Sequence, residues 1–259
     1  MKRVGVLPAL VTLANGFCGV VAIYKIQDRE FYQAAGLIFL AMVFDLLDGM
    51  VARKAGITSK FGAHLDSLSD AISFGLAPAF LTKVVVEDVW RGYYAPKVIT
   101  VLTALYAVCA LLRLARYNVE HGDDAGEGNG VSVFAGMPTP GAAGVVTSVV
   151  LLQYDAARLI DYKYVLFCLP ALTALLACLM VSRVPFIHFG SKFLGRRDFL
   201  YLFWVVVVAV LVFLFPHEMI AAGFWAYLAS GAVMWLLRRR AKSPRSNPAP
   251  DDVKIPDGL

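Results

Sequence analysis

The stretch YQAAGLIFLAMVFDLLDGMVARKAGITSKFGAHLDSLSD, residues 32–70, joins an apolar block directly to four regularly spaced aspartates. Residues 32–44 carry no charged side chain, which is typical of a helix that crosses a hydrocarbon core. Asp45 and Asp48 then follow three residues apart, and Asp66 and Asp70 follow four residues apart. Carboxylates at this depth are costly unless a partner neutralises them, so the stretch bears on both fold and function.

The whole chain has the same apolar character. Of its 259 residues, 59% are hydrophobic and 17% are charged, whereas soluble domains average about 45–50% apolar and about 25% charged residues. The mean hydropathy is +0.68, and the apolar residues fall in blocks close to the ~20 residues that a membrane-spanning helix needs. We therefore expect an all-α, polytopic integral membrane bundle of about eight transmembrane helices, over residues 6–24, 32–50, 65–86, 98–117, 136–153, 163–181, 199–215 and 218–236.

The distribution of Lys and Arg predicts the orientation of this bundle. If the N-terminus is cytoplasmic, the inner segments up to residue 245 hold sixteen of these residues and the outer loops hold six, as the positive-inside rule requires. We therefore expect both termini and the aspartate segment at the cytoplasmic face of the cell (inner) membrane. The net charge of +5 then reflects topology, and we expect no nucleic-acid partner.

The two ends of the chain differ in character. The first apolar block follows a short basic start but lacks a small-x-small cleavage site, so we expect it to remain as a mature helix. Residues 237–259 are polar and rich in proline, which predicts a disordered cytoplasmic tail that can touch anionic lipid. Residues 1–236 then form the transmembrane domain.

The spacing of the four aspartates predicts a metal site. Residues three or four apart share one helix face, so Asp45 with Asp48, and Asp66 with Asp70, form two face-matched pairs. A short connection, residues 53–62, joins their antiparallel helices, so the pairs can converge. Clustered carboxylates repel unless they are protonated or neutralised by cations, and oxygen-only ligands suit Mg²⁺, Mn²⁺ or Ca²⁺. The alternative, four separately solvated aspartates, does not account for the paired spacing.

Small residues and one arginine lie beside the aspartates. Gly49, Ala52 and Gly62 leave room for a ligand to lie against the backbone. Arg53 follows one turn after Gly49 and can hold a phosphate bidentately. Metal ions, an arginine and a glycine-lined gap together predict a site for a diphosphate.

The segment resembles the signature of the CDP-alcohol phosphotransferases. It reads Asp45-x2-Asp48-Gly49-x2-Ala52-Arg53-x8-Gly62-x3-Asp66-x3-Asp70 and matches that signature at every fixed position. The resemblance implies metal-dependent transfer of a phosphatidyl or similar group from a CDP-linked donor to an alcohol, with release of CMP. It also implies a homodimer, and it implies two bound divalent ions, Mg²⁺ or Mn²⁺, with Ca²⁺ as a non-productive occupant. Carried over by position, the four aspartates would bind these ions, Asp70 would be the general base, and the cytidine diphosphate site would be lined by Gly49, Ala52, Arg53 and Gly62.

Further stretches are similar to the membrane-embedded phosphatidylserine synthase branch of that family. These are LPALVTLANGFCGVVAI, LLRLARYNV, FAGMPTPGAA and LMVSRVPF, spread over residues 7–186. The branch implies CDP-diacylglycerol and L-serine as substrates and membrane lipids as surroundings. Two positions depart from related patterns: Ala9 stands where the branch usually has Asn, and Asn15 stands where phosphatidylglycerophosphate synthases usually have Arg.

Two groups of polar residues are candidates for further substrate contacts. Arg113 and Arg116 share a helix face near the inner end of the fourth span, with Asn118 following, and could bind the serine carboxylate or the lipid diphosphate. The alternative is that both arginines extend to lipid headgroups. Thr12 and Asn15 could contact the nucleotide, or they could form hydrogen bonds between helices.

Two other functions compete with this interpretation. The same chemistry could use glycerol 3-phosphate or inositol phosphate as acceptor, although a phosphorylated acceptor calls for a denser cluster of basic residues. A carboxylate-based cation transporter would instead place acids near the bilayer midplane on broken helices. The aspartates here crowd one end of their helices, which favours the enzyme.

Overall fold

The computed structural model describes residues 6–55, 60–90, 92, 95–122, 136–156, 163–182, 184 and 216–241. All regular structure in these ranges is helical, which confirms the expected all-α class. We number the helices α1 (Val6–Gln27), α2 (Phe31–Ala55), α3 (Lys60–Asp70), α4 (Ala77–Val89), α5 (Pro96–Gly122), α6 (Thr139–Ala156), α7 (Lys163–Phe167), α8 (Leu169–Val181) and α9 (Pro216–Ala241), with a π-helical turn over Ala71–Leu76 that joins α3 to α4.

Four stretches are long and apolar enough to cross a membrane: Pro8–Gln27, Phe31–Val51, Phe61–Val89 and Pro96–Val119. They coincide with the first four spans expected from the sequence. Thr139–Gln153 and Leu169–Val181 are apolar but shorter, and the seventh expected span, 199–215, lies outside the described residues. Within the described ranges, four of the expected spans are therefore found as candidates, and the count of eight stays a prediction.

The third span forms the centre of the bundle. In its most apolar window 72% of the residues are buried, against 28–33% in the other three candidate spans. The outward faces of those three carry large apolar side chains, including Phe17, Val43 and Val101, which are 69%, 50% and 64% exposed. Such side chains suit contact with lipid, because the hydrocarbon is as apolar as they are.

Close packing of α1 against the third span depends on two glycines. A Cβ on Gly19 would lie 2.4 Å from Ser73 Oγ and 2.8 Å from Ser73 Cα, and one on Gly16 would lie 3.0 Å from Ser69 Oγ. Small residues let backbones approach where burial of apolar surface does not drive helix association. This approach brings the polar face of α1 onto the aspartates.

The sixth expected span, 163–181, is interrupted in the structure. Helix α7 ends at Phe167 and α8 begins at Leu169, with Cys168 in a turn between them. Pro170 lies in the first turn of α8, where its missing N–H leaves no helical hydrogen bond unmade. The proline therefore accounts for a new helix start in a block that hydropathy alone presents as continuous.

Candidate active site

Two side chains of α1 bind directly to the carboxylates. Thr12 Oγ1 donates a hydrogen bond of 2.8 Å to Asp48 Oδ2, and Asn15 Nδ2 donates one of 2.9 Å to Asp70 Oδ1. Thr12 and Asn15 are three residues apart and so lie on one face of α1, and all four side chains are buried. Thr12 and Asn15 thus form the hydrogen bonds between helices that were one of the two expectations. Their contact with a nucleotide stays a prediction.

Carboxylates from α2 and α3 converge at one point. One oxygen from each of Asp45, Asp48 and Asp66 lies within 4.8 Å of the others, and Asp70 lies within electrostatic range of all three. Asp48 and Asp70 are only 7% and 8% exposed. Since burial and mutual repulsion both oppose four ionised carboxylates, either protonation or bound cations must neutralise part of the cluster.

The cluster fits divalent cations. Its donors are all carboxylate oxygens, the ligands that Mg²⁺, Mn²⁺ and Ca²⁺ prefer. Asp66 Oδ1 is buried and has no hydrogen-bond partner within the described part of the chain. A buried carboxylate oxygen left in this way is explained if a metal ion completes it.

A π-helical turn begins immediately after Asp70 and is held by two side chains. Ser73 Oγ donates to the backbone carbonyl of Asn15 at 2.9 Å, and the buried Tyr106 hydroxyl donates to the carbonyl of Phe74 at 3.2 Å. π-turns inside α-helices occur frequently at functional sites. Here the turn ties the helix that carries Asp70 to both α1 and α5.

The three candidates on α5 have different surroundings. Arg113 is half-buried and lies within electrostatic range of Asp70 and Tyr227, and its Nε has no hydrogen-bond partner among the residues described. Asn118 Oδ1 accepts a hydrogen bond of 3.0 Å from Ser67 Oγ on α3, so it joins two helices. Arg116 is exposed. Arg113 is the one that the fold brings beside the carboxylates.

The remaining candidates are placed only in part. Gly49 and Gly62 are half-buried on α2 and α3. Ala52 and Arg53 belong to the last turns of α2, but their side chains lie outside the described residues. Their predicted contacts with a cytidine diphosphate stay predictions.

An apolar cavity of about 730 Å³ lies beside Asp45, which forms part of its wall. Its wall comes from α2, the start of α6 and α9, and consists of Met42, Asp45, Leu46, Pro138, Pro140, Gly141, Met219, Ile220, Gly223, Phe224 and Tyr227. The cavity therefore places a large apolar volume directly beside a carboxylate of the cluster.

Phe224 and Tyr227 line the cavity beside Asp45, although no sequence motif points to them. A Cβ on Gly144 would lie 2.1 Å from the Phe224 ring, and a Cβ on Gly141 would lie 2.9 Å from the Tyr227 ring. Two aromatics three residues apart on α9 thus sit over two glycines three residues apart on α6. That matched spacing is the signal by which the pairing could have been found.

Comparison with known proteins agrees with the site. The sequence matches the family described as CDP-alcohol phosphatidyltransferase over residues 5–182. It is 31% identical over 229 residues to the CDP-diacylglycerol–serine O-phosphatidyltransferase of Helicobacter pylori (strain J99), an alignment that covers 88% of this chain and 90% of the relative.

Relatives with the same name occur in two further organisms. The Bacillus subtilis protein is 32% identical over 188 residues, covering 71% of this chain and 90% of the relative. The Methanocaldococcus jannaschii protein is 30% identical over 217 residues, covering 84% of this chain and 88% of the relative. With its matched segment containing the whole carboxylate cluster, the chain belongs to the CDP-alcohol phosphatidyltransferase family.

Proposed function

We propose that this protein transfers the phosphatidyl group of CDP-diacylglycerol to L-serine, giving phosphatidylserine and CMP. The observation that carries the proposal is the convergence of Asp45, Asp48 and Asp66, with Asp70 beside them, at one end of the bundle. Relatives that align over 71–88% of this chain carry the name of that activity. The aspartates of the sequence signature are thus the same ones that lie close together in the fold.

In the reaction, the serine hydroxyl oxygen attacks the phosphorus that bears the diacylglycerol. A new P–O bond forms to serine, and the P–O bond to the CMP phosphate breaks. The hydroxyl proton passes to Asp70 as general base. Asp70 Oδ1 is held by the Asn15 amide, which leaves the other carboxylate oxygen for the proton.

The four aspartates would hold two divalent ions, Mg²⁺ or Mn²⁺, with Ca²⁺ as a non-productive occupant. When bound, such ions offset the charge of the diphosphate and stabilise the leaving phosphate of CMP. Asp45, Asp48 and Asp66 supply the close oxygens, and Thr12 orients Asp48 by its hydrogen bond. Asp70 is both a ligand and the base in this proposal.

The donor lipid would be shared between the aspartate end and the apolar cavity. Gly49, Ala52, Arg53 and Gly62 would line the cytidine diphosphate, and the cavity beside Asp45 would receive acyl chain. Its position next to the cluster and its apolar wall support this division. Arg113, beside Asp70, would bind the carboxylate of serine.

The setting of the enzyme follows from the charge pattern. We place the active site at the cytoplasmic face of the inner membrane, with both termini on that side and residues 237–259 as a polar tail. A lipid donor can then stay in the bilayer while serine arrives from the cytosol. We expect a homodimer, in line with the family resemblance.

The test is CMP release by purified protein in detergent, supplied with CDP-diacylglycerol and Mg²⁺ or Mn²⁺. L-serine, glycerol 3-phosphate and inositol phosphate are offered separately as acceptors. We expect release that depends on serine and metal. CMP release with another acceptor only would support the carboxylate site and reject serine as the acceptor. Absence of CMP release with all three acceptors, from folded protein, would reject the enzymatic function.

A further inference from the structure

Two buried polar atoms beside Asp70 lack hydrogen-bond partners. They are Asn15 Oδ1 and Arg113 Nε, and neither is bonded to any residue that the structure describes. Asn15 contacts Asp70 through a hydrogen bond of 2.9 Å, and Arg113 lies within electrostatic range of the same carboxylate. One atom is an acceptor and the other is a donor. Buried groups of this kind are normally satisfied, so both call for an explanation.

The orientation of the Asn15 amide follows from its neighbour. Its nitrogen faces Asp70 and donates to Asp70 Oδ1, since an ionised carboxylate only accepts. The amide oxygen is therefore turned away from that bond. Asn15 is 0% exposed, and Ser73 Oγ donates a hydrogen bond to its backbone carbonyl. The amide oxygen is thus preorganised rather than solvated.

We infer that Asn15 selects the acceptor: its amide nitrogen holds Asp70, and its amide oxygen receives the ammonium group of L-serine. The inference rests on the proposed function. Serine carries its hydroxyl and its ammonium on adjacent carbon atoms. When Asp70 takes the hydroxyl proton, a side chain bonded to Asp70 is the natural neighbour of the ammonium. Arg113, whose Nε is the other unsatisfied atom, binds the carboxylate of the serine substrate.

The two unsatisfied atoms then match a zwitterion by chemical type. An ammonium is a donor without acceptor capacity, and a carboxylate is an acceptor without donor capacity. A site that offers one acceptor and one cationic donor beside the base accepts serine and leaves buried groups unpaired when an analogue lacks either charge. Unpaired buried groups are what give such sites their discrimination.

The test compares three acceptors in wild type and in Asn15→Leu. They are L-serine, 3-hydroxypropionate, which lacks the ammonium, and ethanolamine, which lacks the carboxylate. The readout is the ratio of kcat/KM for serine to kcat/KM for each analogue. Any damage to Asp70 or to the metal cluster affects all acceptors and cancels in the ratio.

We expect Asn15→Leu to reduce the serine to 3-hydroxypropionate ratio by about 10- to 100-fold, as for loss of a hydrogen bond to a charged group. The serine to ethanolamine ratio should stay within about threefold of wild type on the same scale. Arg113→Gln should show the reverse pattern. If an analogue reacts too slowly, its inhibition constant against serine replaces its kcat/KM.

Thr12→Val is the matched control. Thr12 lies on the same face of α1 and bonds a different carboxylate, so its loss should slow all three acceptors and leave both ratios unchanged. If Asn15→Leu does not fold, Asn15→Ala takes its place, with thermal unfolding in detergent as the check.

Two outcomes overturn the inference. Equal loss for serine and 3-hydroxypropionate in the Asn15 variant would reduce Asn15 to a positioning residue for Asp70. A raised metal requirement with unchanged ratios would make the amide oxygen a metal ligand instead. Absence of serine-dependent CMP release in the wild type would reject the proposed function itself, which is a separate result.

Discussion

At the scale of single residues, two of the four aspartates are compensated by a side-chain hydrogen bond from α1. Asp48 accepts from Thr12, and Asp70 accepts from Asn15. A hydrogen bond to a charged group contributes about 1.5–3 kcal/mol, which is less than the cost of burying an isolated carboxylate. The rest of the cost is offset by protonation or by bound cations, and Asp66 Oδ1, which has no hydrogen bond to the part of the chain described, can bind a cation.

Replacing Asp70 with Asn separates the base from the structure around it. The variant keeps the oxygen that accepts from Asn15, so the contact between α1 and α3 should survive. It loses the carboxylate that takes the proton. We expect turnover to fall by about 100-fold or more, while binding of CMP, measured by calorimetry with Mg²⁺ or Mn²⁺, is retained in part.

Asp66→Asn provides the contrast to Asp70→Asn. It removes the charge of a ligand rather than the base, so the concentration of metal that gives half-maximal activity should rise by about tenfold or more. Excess metal should restore much of the rate. Rate recovery by excess metal in Asp70→Asn, to the same extent, would contradict the assignment of Asp70 as base.

At the scale of the helices, the contact of α1 with the third span determines the site. Gly16 and Gly19 allow the close approach to Ser69 and Ser73, and the Ser73 hydroxyl then bonds the backbone of Asn15. The π-helical turn after Asp70 presents both Ser73 and the Phe74 carbonyl to neighbouring helices. Packing and polar contacts therefore act on the same few residues.

Gly19→Ala should destabilise the protein and lower its activity together. The added methyl group would lie 2.8 Å from the Ser73 backbone, which cannot move without shifting the helix of Asp70. Overpacking of this kind costs about 1–3 kcal/mol, partly offset by the better helix propensity of alanine, about 1 kcal/mol. The measurement is thermal unfolding in detergent alongside serine-dependent CMP release.

Gly36→Ala is the control for that substitution. Gly36 lies on α2, and among the described residues no neighbouring atom comes within 4 Å of the position that an added methyl group would take. The variant should match or exceed the wild type in stability and keep its activity. An equal loss in both glycine variants would show that the contact of Gly19 with Ser73 is not the cause.

At the scale of the whole molecule, the two ends of the bundle differ in chemistry. One end gathers the four aspartates. The other carries ion pairs: Lys25 with Glu30 at 2.6 Å, Lys83 with Glu87 at 3.1 Å, and Arg29 with Asp88 between the α1–α2 turn and the end of α4. Surface pairs such as these contribute little stability each, so we interpret them as contacts that order the loops at this end rather than as a second site.

Cysteine labelling tests the proposed orientation. Asp28 and His64 are exposed and lie at opposite ends of the bundle, with Asp28 about 24 Å along α1 from Thr12 at 1.5 Å per residue. In a background without the four native cysteines, a membrane-impermeant maleimide should label Asp28→Cys in intact cells. His64→Cys should be labelled only after the inner membrane is opened.

The opposite labelling pattern would reverse the orientation and place the aspartates outside. Such a result would conflict with the bias of sixteen basic residues to six. CMP release by each variant serves as the check that labelling reports on folded enzyme.

The sequence by itself determined the fold class and the identity of the carboxylates. Apolar blocks of bilayer length predict membrane helices whatever their partners, and the first four are helices long and apolar enough to cross a membrane. Spacings of three and four placed the aspartates on shared faces, and the signature assigned the family. These features depend on local periodicity, which a sequence displays directly.

Only the tertiary structure decided which residues face the aspartates. Thr12 and Asp48 are 36 residues apart and Asn15 and Asp70 are 55 apart, so no local pattern states that they meet. The break at Cys168, the π-helical turn and the wall of Phe224 and Tyr227 beside Asp45 likewise arose from packing. Periodicity specifies the face of a helix, but the opposing helix depends on close approach at small residues such as Gly19 and Gly141, which composition does not reveal.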